Sequence, residues 1–166
     1  MKCQIFNSDS KFGLINEHHE IILPAIYDNI VFDFQEEYAL IRKDNKWGMI
    51  SNDGAIICDC IYDSVHLDFV VSDYSCVANR SVSGELLYGL INKKGELIID
   101  CIYHYIDSTP IGGKFIVGQL SECDTKQQSR MLYGLTNEKG KLALPSLYES
   151  KDKVIEALEK GWAKKE

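Results

Sequence analysis

Apolar residues recur along the chain in short alternating runs, and the runs themselves recur. Lys11-Phe12-Gly13-Leu14-Ile15-Asn16 is matched without gaps by Lys46-Trp47-Gly48-Met49-Ile50-Ser51, Leu87-Tyr88-Gly89-Leu90-Ile91-Asn92 and Leu132-Tyr133-Gly134-Leu135-Thr136-Asn137. In every copy a tyrosine follows the glycine by 14 positions: Tyr27, Tyr62, Tyr103 and Tyr148. Six positions after it comes a second glycine in three copies, Gly54, Gly95 and Gly140, where the first copy has His19. Period-two alternation marks half-buried strands, so each aromatic–Gly run predicts a strand and each second glycine a hairpin turn with positive φ. His19 tolerates that conformation less easily than glycine. The return strands are Glu20–Leu23, Ala55–Cys58, Glu96–Ile99 and Lys141–Leu144, ended by Pro24, Asp59, Asp100 and Pro145.

Further alternating runs precede the aromatic–Gly strands at Tyr38–Arg42, Tyr74–Ala78 and Lys114–Gly118, with Lys2–Phe6 in the first copy. Each predicts a hairpin partner. Successive copies are spaced 35, 41 and 45 residues apart, the added length falling in polar loops such as Ser81–Gly84 and Ser121–Ser129. The period then changes. Val154, Ile155 and Leu158 on one side of residues 152–160, with Gly161 as a stop, predict a short amphipathic helix. A stack of repeats needs its last apolar face covered, which gives this helix a role as cap, with Trp162 placed to pin it.

The expected fold is therefore all-β: a single domain, 1–166, of four diverged β-hairpin repeats at approximately 1–31, 32–66, 67–106 and 107–151, with a capping helix at 152–161. Unequal repeat lengths and a terminal helix favour a short solenoid; a closed propeller-like ring is the alternative.

The Lys46-Trp47-Gly48-Met49-Ile50 core, the following Gly54 and the later Ile61-Tyr62-Asp63 resemble the bacterial WG, or KWG, repeat. The resemblance spans essentially residues 1 to 151, with Phe12, Tyr88 and Tyr133 replacing the tryptophan. It implies a β-rich repeat fold and binding rather than catalysis, and it brings no catalytic residues.

Composition narrows the function. Apolar residues at 45% and charged ones at 26% suit a folded domain of 166 residues. A net charge of −7 argues against binding nucleic acid, which takes clustered Lys and Arg. No apolar run has the length of a signal peptide or a membrane span, so the expected location is the cytoplasm, with no membrane partner.

Of the six cysteines, Cys58, Cys60 and Cys101 superficially suggest a metal site. Their columns point to packing instead. Cys60 and Cys101 align with Ala25 and Ser146, and Cys58 aligns with Leu23, Ile99 and Leu144, so small or apolar side chains suit both positions. Cys3, Cys76 and Cys123 have no ligand spacing. His18 and His19 fall at a turn, and His104 replaces Asp28, Asp63 and Glu149 in its column as a surface variant. A Cys60–His66 nucleophile pair would need spatial adjacency and an orienting group. No phosphate loop or nucleophile elbow is present. The expectation is a protein that is not an enzyme and takes no metal or cofactor.

Acidic residues are unevenly placed. Asp28, Asp33, Glu36 and Glu37 occur with no base between residues 28 and 37, and Asp53, Asp59, Asp63, Asp68 and Asp73 with none between 53 and 79. The last 16 residues carry five lysines against four acids, leaving −8 in residues 1–150. A solvated surface explains this adequately. The sharper reading is a docking face for a basic protein, built from Asp33, Phe34, Glu36, Glu37, His66, Asp68, Phe69 and Asp73 on a chain that is monomeric when free. It points to an inhibitor of the immunity-protein type acting on a nuclease toxin; a carbohydrate- or envelope-binding repeat protein is the alternative.

Overall fold

The computed structural model describes residues 3–32, 37–66, 69, 72–121 and 129–161. The fold is mostly β, and the strands form four antiparallel sheets in chain order. The first contains β1 (Gln4–Ser8), β2 (Lys11–Ile15) and β3 (Ile21–Tyr27). The second contains β4 (Asn29–Phe32), β5 (Tyr38–Lys43), β6 (Lys46–Ser51) and β7 (Ile56–Tyr62). The third contains β8 (Ser64–Val65), β9 (Tyr74–Arg80), β10 (Leu86–Asn92) and β11 (Leu97–Tyr103). The fourth contains β12 (Tyr105–Ile106), β13 (Lys114–Leu120), β14 (Met131–Asn137) and β15 (Leu142–Tyr148), and α1 (Lys151–Glu159) follows it.

The aromatic–Gly strands are β2, β6, β10 and β14, and the runs before them pair with them as expected. The return strands run further than the sequence suggests. Pro24, Asp59, Asp100 and Pro145 lie inside β3, β7, β11 and β15, not at their ends. The cause is a bulge opposite the first glycine. Phe12 pairs with Tyr27 and Leu14 with Leu23, so three return-strand residues span the single Gly13, and the other copies repeat this. A Cβ on Gly13, Gly48, Gly89 or Gly134 would lie 2.3–2.7 Å from a return-strand carbonyl oxygen. Proline and aspartate suit that position because a bulged residue makes no ladder bond. The short strands β4, β8 and β12 also went unforeseen; each follows the column tyrosine and pairs into the next sheet.

The second glycines sit at φ +88°, +78° and +72°, and His19 adopts φ +63°. Asn16, Asn92 and Asn137 brace three of these turns through side-chain oxygens that accept two backbone N–H groups each, and Ser51 Oγ accepts one in the fourth. Each turn glycine also abuts the preceding sheet. A Cβ on Gly54 would meet Ile22, one on Gly95 the Ile57 carbonyl, and one on Gly140 the Ile98 carbonyl. The first copy has no described sheet on that side, which gives the His19 side chain its room.

Packing follows the same order. Leu14, Leu23 and Tyr27 of the first sheet meet Ala39, Ile41 and Ile50 of the second. Met49, Cys58 and Tyr62 of the second meet Val77 and Ile91 of the third. Leu90, Ile99 and Tyr103 of the third meet Phe115 and Val117 of the fourth. Ile116, Leu135 and Leu144 of the fourth are covered by Val154 and Ala157 of α1. None of these clusters joins the first sheet to the fourth, so the stack is open and helix-capped. Ser150 caps α1 by accepting from the Lys153 N–H. Trp162 lies outside the described residues.

Candidate functional site

Of the eight residues expected to face a partner, Asp33, Phe34, Glu36 and Asp68 lie outside the described residues. Glu37 and Asp73 are exposed, and both lie near enough to Lys93 for their charges to act on it. Asp73 pairs with Lys93 at 2.9 Å, and the fields of Asp73, Tyr38 and Glu37 all raise the Lys93 ammonium above its ordinary range, after the direct hydrogen bond to Asp73. Phe69 is different. It is 4% exposed and packs on Tyr38 with ring centroids 5.0 Å apart, so it belongs to the core between the second and third sheets and offers nothing to a partner. His66 is exposed but faces elsewhere, edge-on to Tyr88 at 6.2 Å in a cleft of about 370 Å³ between the third and fourth sheets.

That cleft also holds Cys76, His104, Tyr105 and Asp107. Their bonds are structural. Cys76 is buried and its Sγ donates to the Ile106 carbonyl at 3.9 Å. His104 Nδ1 accepts from the Leu120 N–H at 3.3 Å, while its own N–H bonds Gly118. This repeats what aspartate does in two earlier copies: Asp28 accepts from Asp44 N–H at 2.8 Å and Asp63 from Arg80 N–H at 2.8 Å. His104 is thus a substitute acceptor that holds a hairpin, a sharper role than a surface variant. Lys151 donates to Tyr105 Oη at 2.9 Å and covers its ring at 4.7 Å.

The same comparison explains the lysine of the Lys-Trp-Gly run. Lys46 pairs with Asp63 at 2.8 Å, and Lys11 pairs with Asp28. Both carboxyls are held below the ordinary carboxylate range, chiefly by the lysine hydrogen bond. Where His104 replaces the aspartate, Leu87 replaces the lysine. Several acids counted in the sequence are therefore committed internally: Asp28, Asp63 and Asp73 to lysines, and Asp53 to Ser51 and the Ala55 N–H.

The five described cysteines are free thiols, and no group of three or more His, Cys, Asp or Glu able to hold a metal occurs among the described residues. Burial pushes the Cys58 and Cys101 thiols up to about 11 and raises Cys60 as well. Such thiols stay protonated at neutral pH and are poor nucleophiles. Cys60 donates to the Ile41 carbonyl at 3.7 Å near the first sheet, so it is not brought to His66. Cys123 lies outside the described residues. The aromatic column gives no flat platform for a sugar either: Phe12, Trp47, Tyr88 and Tyr133 are all half-buried, and Arg42 covers the Trp47 ring at 5.5 Å.

These features define a class: an open stack of antiparallel β units whose polar groups mainly hold hairpins and whose rims face solvent. The family model described as WG containing repeat matches residues 12–47 and 88–119, and the chain is similar to that family over those stretches. No curated protein matches the sequence. Among solved structures, one titled "Crystal structure of the eukaryotic initiation factor" aligns at 9% identity and a TM-score of 0.39, over 82% of this chain. This chain spans 49% of that one's length. A repeat domain of this kind suggests a protein-interaction module. No helix among the described residues is long and apolar enough to cross a membrane.

Proposed function

We propose that the stack is a binding module that neutralises a basic protein partner, as an acidic inhibitor of the immunity type acting in the cytoplasm on a nuclease toxin. The observation that carries this reading is the pattern of carboxylates left over once internal pairing is subtracted. Glu37, Asp59 and Asp100 are exposed, and none of their side chains has a hydrogen bond or ion pair among the described residues, on a chain of net charge −7. Unpaired carboxylates on a rigid scaffold steer a cationic protein into contact and add little where the partner is neutral. Glu37 supplies one charged point of the docking face, beside the Asp73–Lys93 pair, and His66 a second, polar contact beside the third sheet.

The test uses the full chain as bait in a lysate of its host at low and high salt. The expected result is one strongly basic protein, released by salt, whose nuclease activity is suppressed by an equimolar amount of this chain. Retention on polysaccharide with no protein captured, or capture without inhibition, overturns the proposal.

A further inference from the structure

The return strands β3, β7, β11 and β15 are edge strands, each paired on one side only. They carry eight of the twelve large apolar side chains exposed among the described residues. Ile21, Ile56, Leu97 and Leu142 form one column, and Ile26, Ile61, Ile102 and Leu147 a second, with exposures from 41% to 70%. Scattered exposed aliphatics are ordinary, but the same two positions exposed in all four copies make a stripe along one rim. Between β3 and β7 the stripe opens into a groove of about 400 Å³. Ile26 and Ile56 form its walls, Asp44 and Asp59 its exposed carboxylates, and Lys43 and Cys60 line it as well.

Three observations decide what fits there. The bulge at Pro24 and Asp59 interrupts both edge strands, so a partner pairing its own backbone along them would lose continuity. Recognition therefore falls to side chains. A second copy docked through this same rim would set one pair of Asp59 and Asp100 carboxylates against another, a like-charge contact. Finally, neither Asp44 nor Asp59 has a side-chain hydrogen bond or ion pair among the described residues, and two carboxylates against the one ammonium of Lys43 leave the groove with one negative charge in excess. An arginine or lysine supplies what is missing, its apolar stem on aliphatic walls and its charged head at the carboxylates.

We propose that this groove seats an arginine or lysine side chain from an aliphatic, basic segment of a protein partner. The assignment rests on the binding-module reading and moves the principal contact from Glu37 and Asp73 to the return-strand rim. On β7 and β11 the equivalent positions, Ile61, Leu97 and Asp100, are exposed as well and extend the same surface.

The test is fluorescence anisotropy with a labelled peptide of alternating arginine and leucine, and an arginine–serine peptide of equal charge as control. The intact chain is expected to bind the arginine–leucine peptide about tenfold more tightly than the control. The double variant Ile26→Ser with Ile56→Ser removes that advantage and leaves control binding unchanged. Asp59→Asn, which keeps the apolar walls, weakens both peptides a few-fold. Equal affinity for the two peptides, or an unchanged advantage in the double variant, overturns the groove. Binding lost in Glu37→Lys with Asp73→Lys but kept in the groove variants also overturns it, while the binding-module reading, tested by capture and inhibition, stands. Sedimentation showing a dimer abolished by the groove double variant would make a second copy the occupant, and that too overturns the assignment.

Discussion

Four glycines share a left-handed backbone and differ only in what lies beside them, which separates backbone strain from sheet stacking. Gly84, at φ +88°, has nothing within 4 Å of an added Cβ. Gly140 would place one 3.2 Å from the Ile98 carbonyl oxygen, and Gly54 would place one 2.1 Å from Ile22 Cγ2, a side-chain atom that can move. Gly95 would put a Cβ 1.7 Å from the Ile57 oxygen and 2.7 Å from its carbon, both backbone of the second sheet. Alanine at positive φ costs about 1–2 kcal/mol in the native state and recovers about 0.4–1 kcal/mol through the stiffer unfolded chain. Gly84→Ala is therefore expected to cost about 1 kcal/mol or less. Gly95→Ala adds an overpacking cost of about 1–3 kcal/mol, because the third sheet must shift away from the second, for a net loss of about 1–4 kcal/mol. In a chain of this size that lowers the melting temperature by roughly 2–16 °C. The assay is thermal unfolding followed by far-UV circular dichroism, with Gly54→Ala and Gly140→Ala between the two extremes and His19→Gly close to the parent. Indistinguishable melting of the Gly95→Ala and Gly84→Ala variants would refute the claim that turn glycines are contact points between sheets.

Two further predictions concern buried polar atoms. Thr136 is fully buried in a column otherwise filled by Ile15, Ile50 and Ile91, and its hydroxyl has no hydrogen-bond partner among the described residues. Thr136→Val keeps the shape and removes the orphan, so a gain of about 1 kcal/mol, or about 2–4 °C in melting temperature, is expected; destabilisation would show that the hydroxyl has a partner after all. Cys58 and Cys101, held at about 11, expose roughly one thiolate in a thousand at pH 8. Iodoacetamide labelling of the native chain, read by peptide mass spectrometry, should leave both unmodified until denaturant is added, and native labelling as fast as in the unfolded control contradicts the packing role.

Columns with a single physical requirement were readable from sequence. The glycine opposite the bulge, the turn glycine, the column tyrosine and the apolar face of α1 each recur because one contact recurs. Features that needed two copies in register were not readable. The return strands looked finished at Pro24 and Asp59 because those residues usually end a strand, whereas here they ride a bulge over Gly13 and Gly48. Strands β8 and β12, two residues each, are too short to show any periodicity. Phe69 sits among acids in the sequence and gave no sign that it turns inward onto Tyr38. The groove between Ile26 and Ile56 joins residues 30 positions apart, and only stacking makes them neighbours.

The acidic character of the chain looks different once its carboxylates are sorted by use. Asp28 and Asp63 each take a lysine on one oxygen and a hairpin N–H on the other, so they belong to the scaffold and present little free charge. When the third copy loses that lysine it also loses the aspartate, and His104 keeps the N–H acceptor without the charge. In the fourth copy Glu149 turns to Lys153 of α1 at 2.8 Å. The hairpin bond is thus retained in three copies while the carboxylate is not, so the fold uses this column for its acceptor and not for its charge. Asp59 and Asp100 answer to no such constraint, since their bulge position accepts proline equally well in the first and fourth copies. Carboxylates at a site that does not require them, beside aliphatics that packing does not require to be exposed, set the two central rims apart from the rest of an acidic surface.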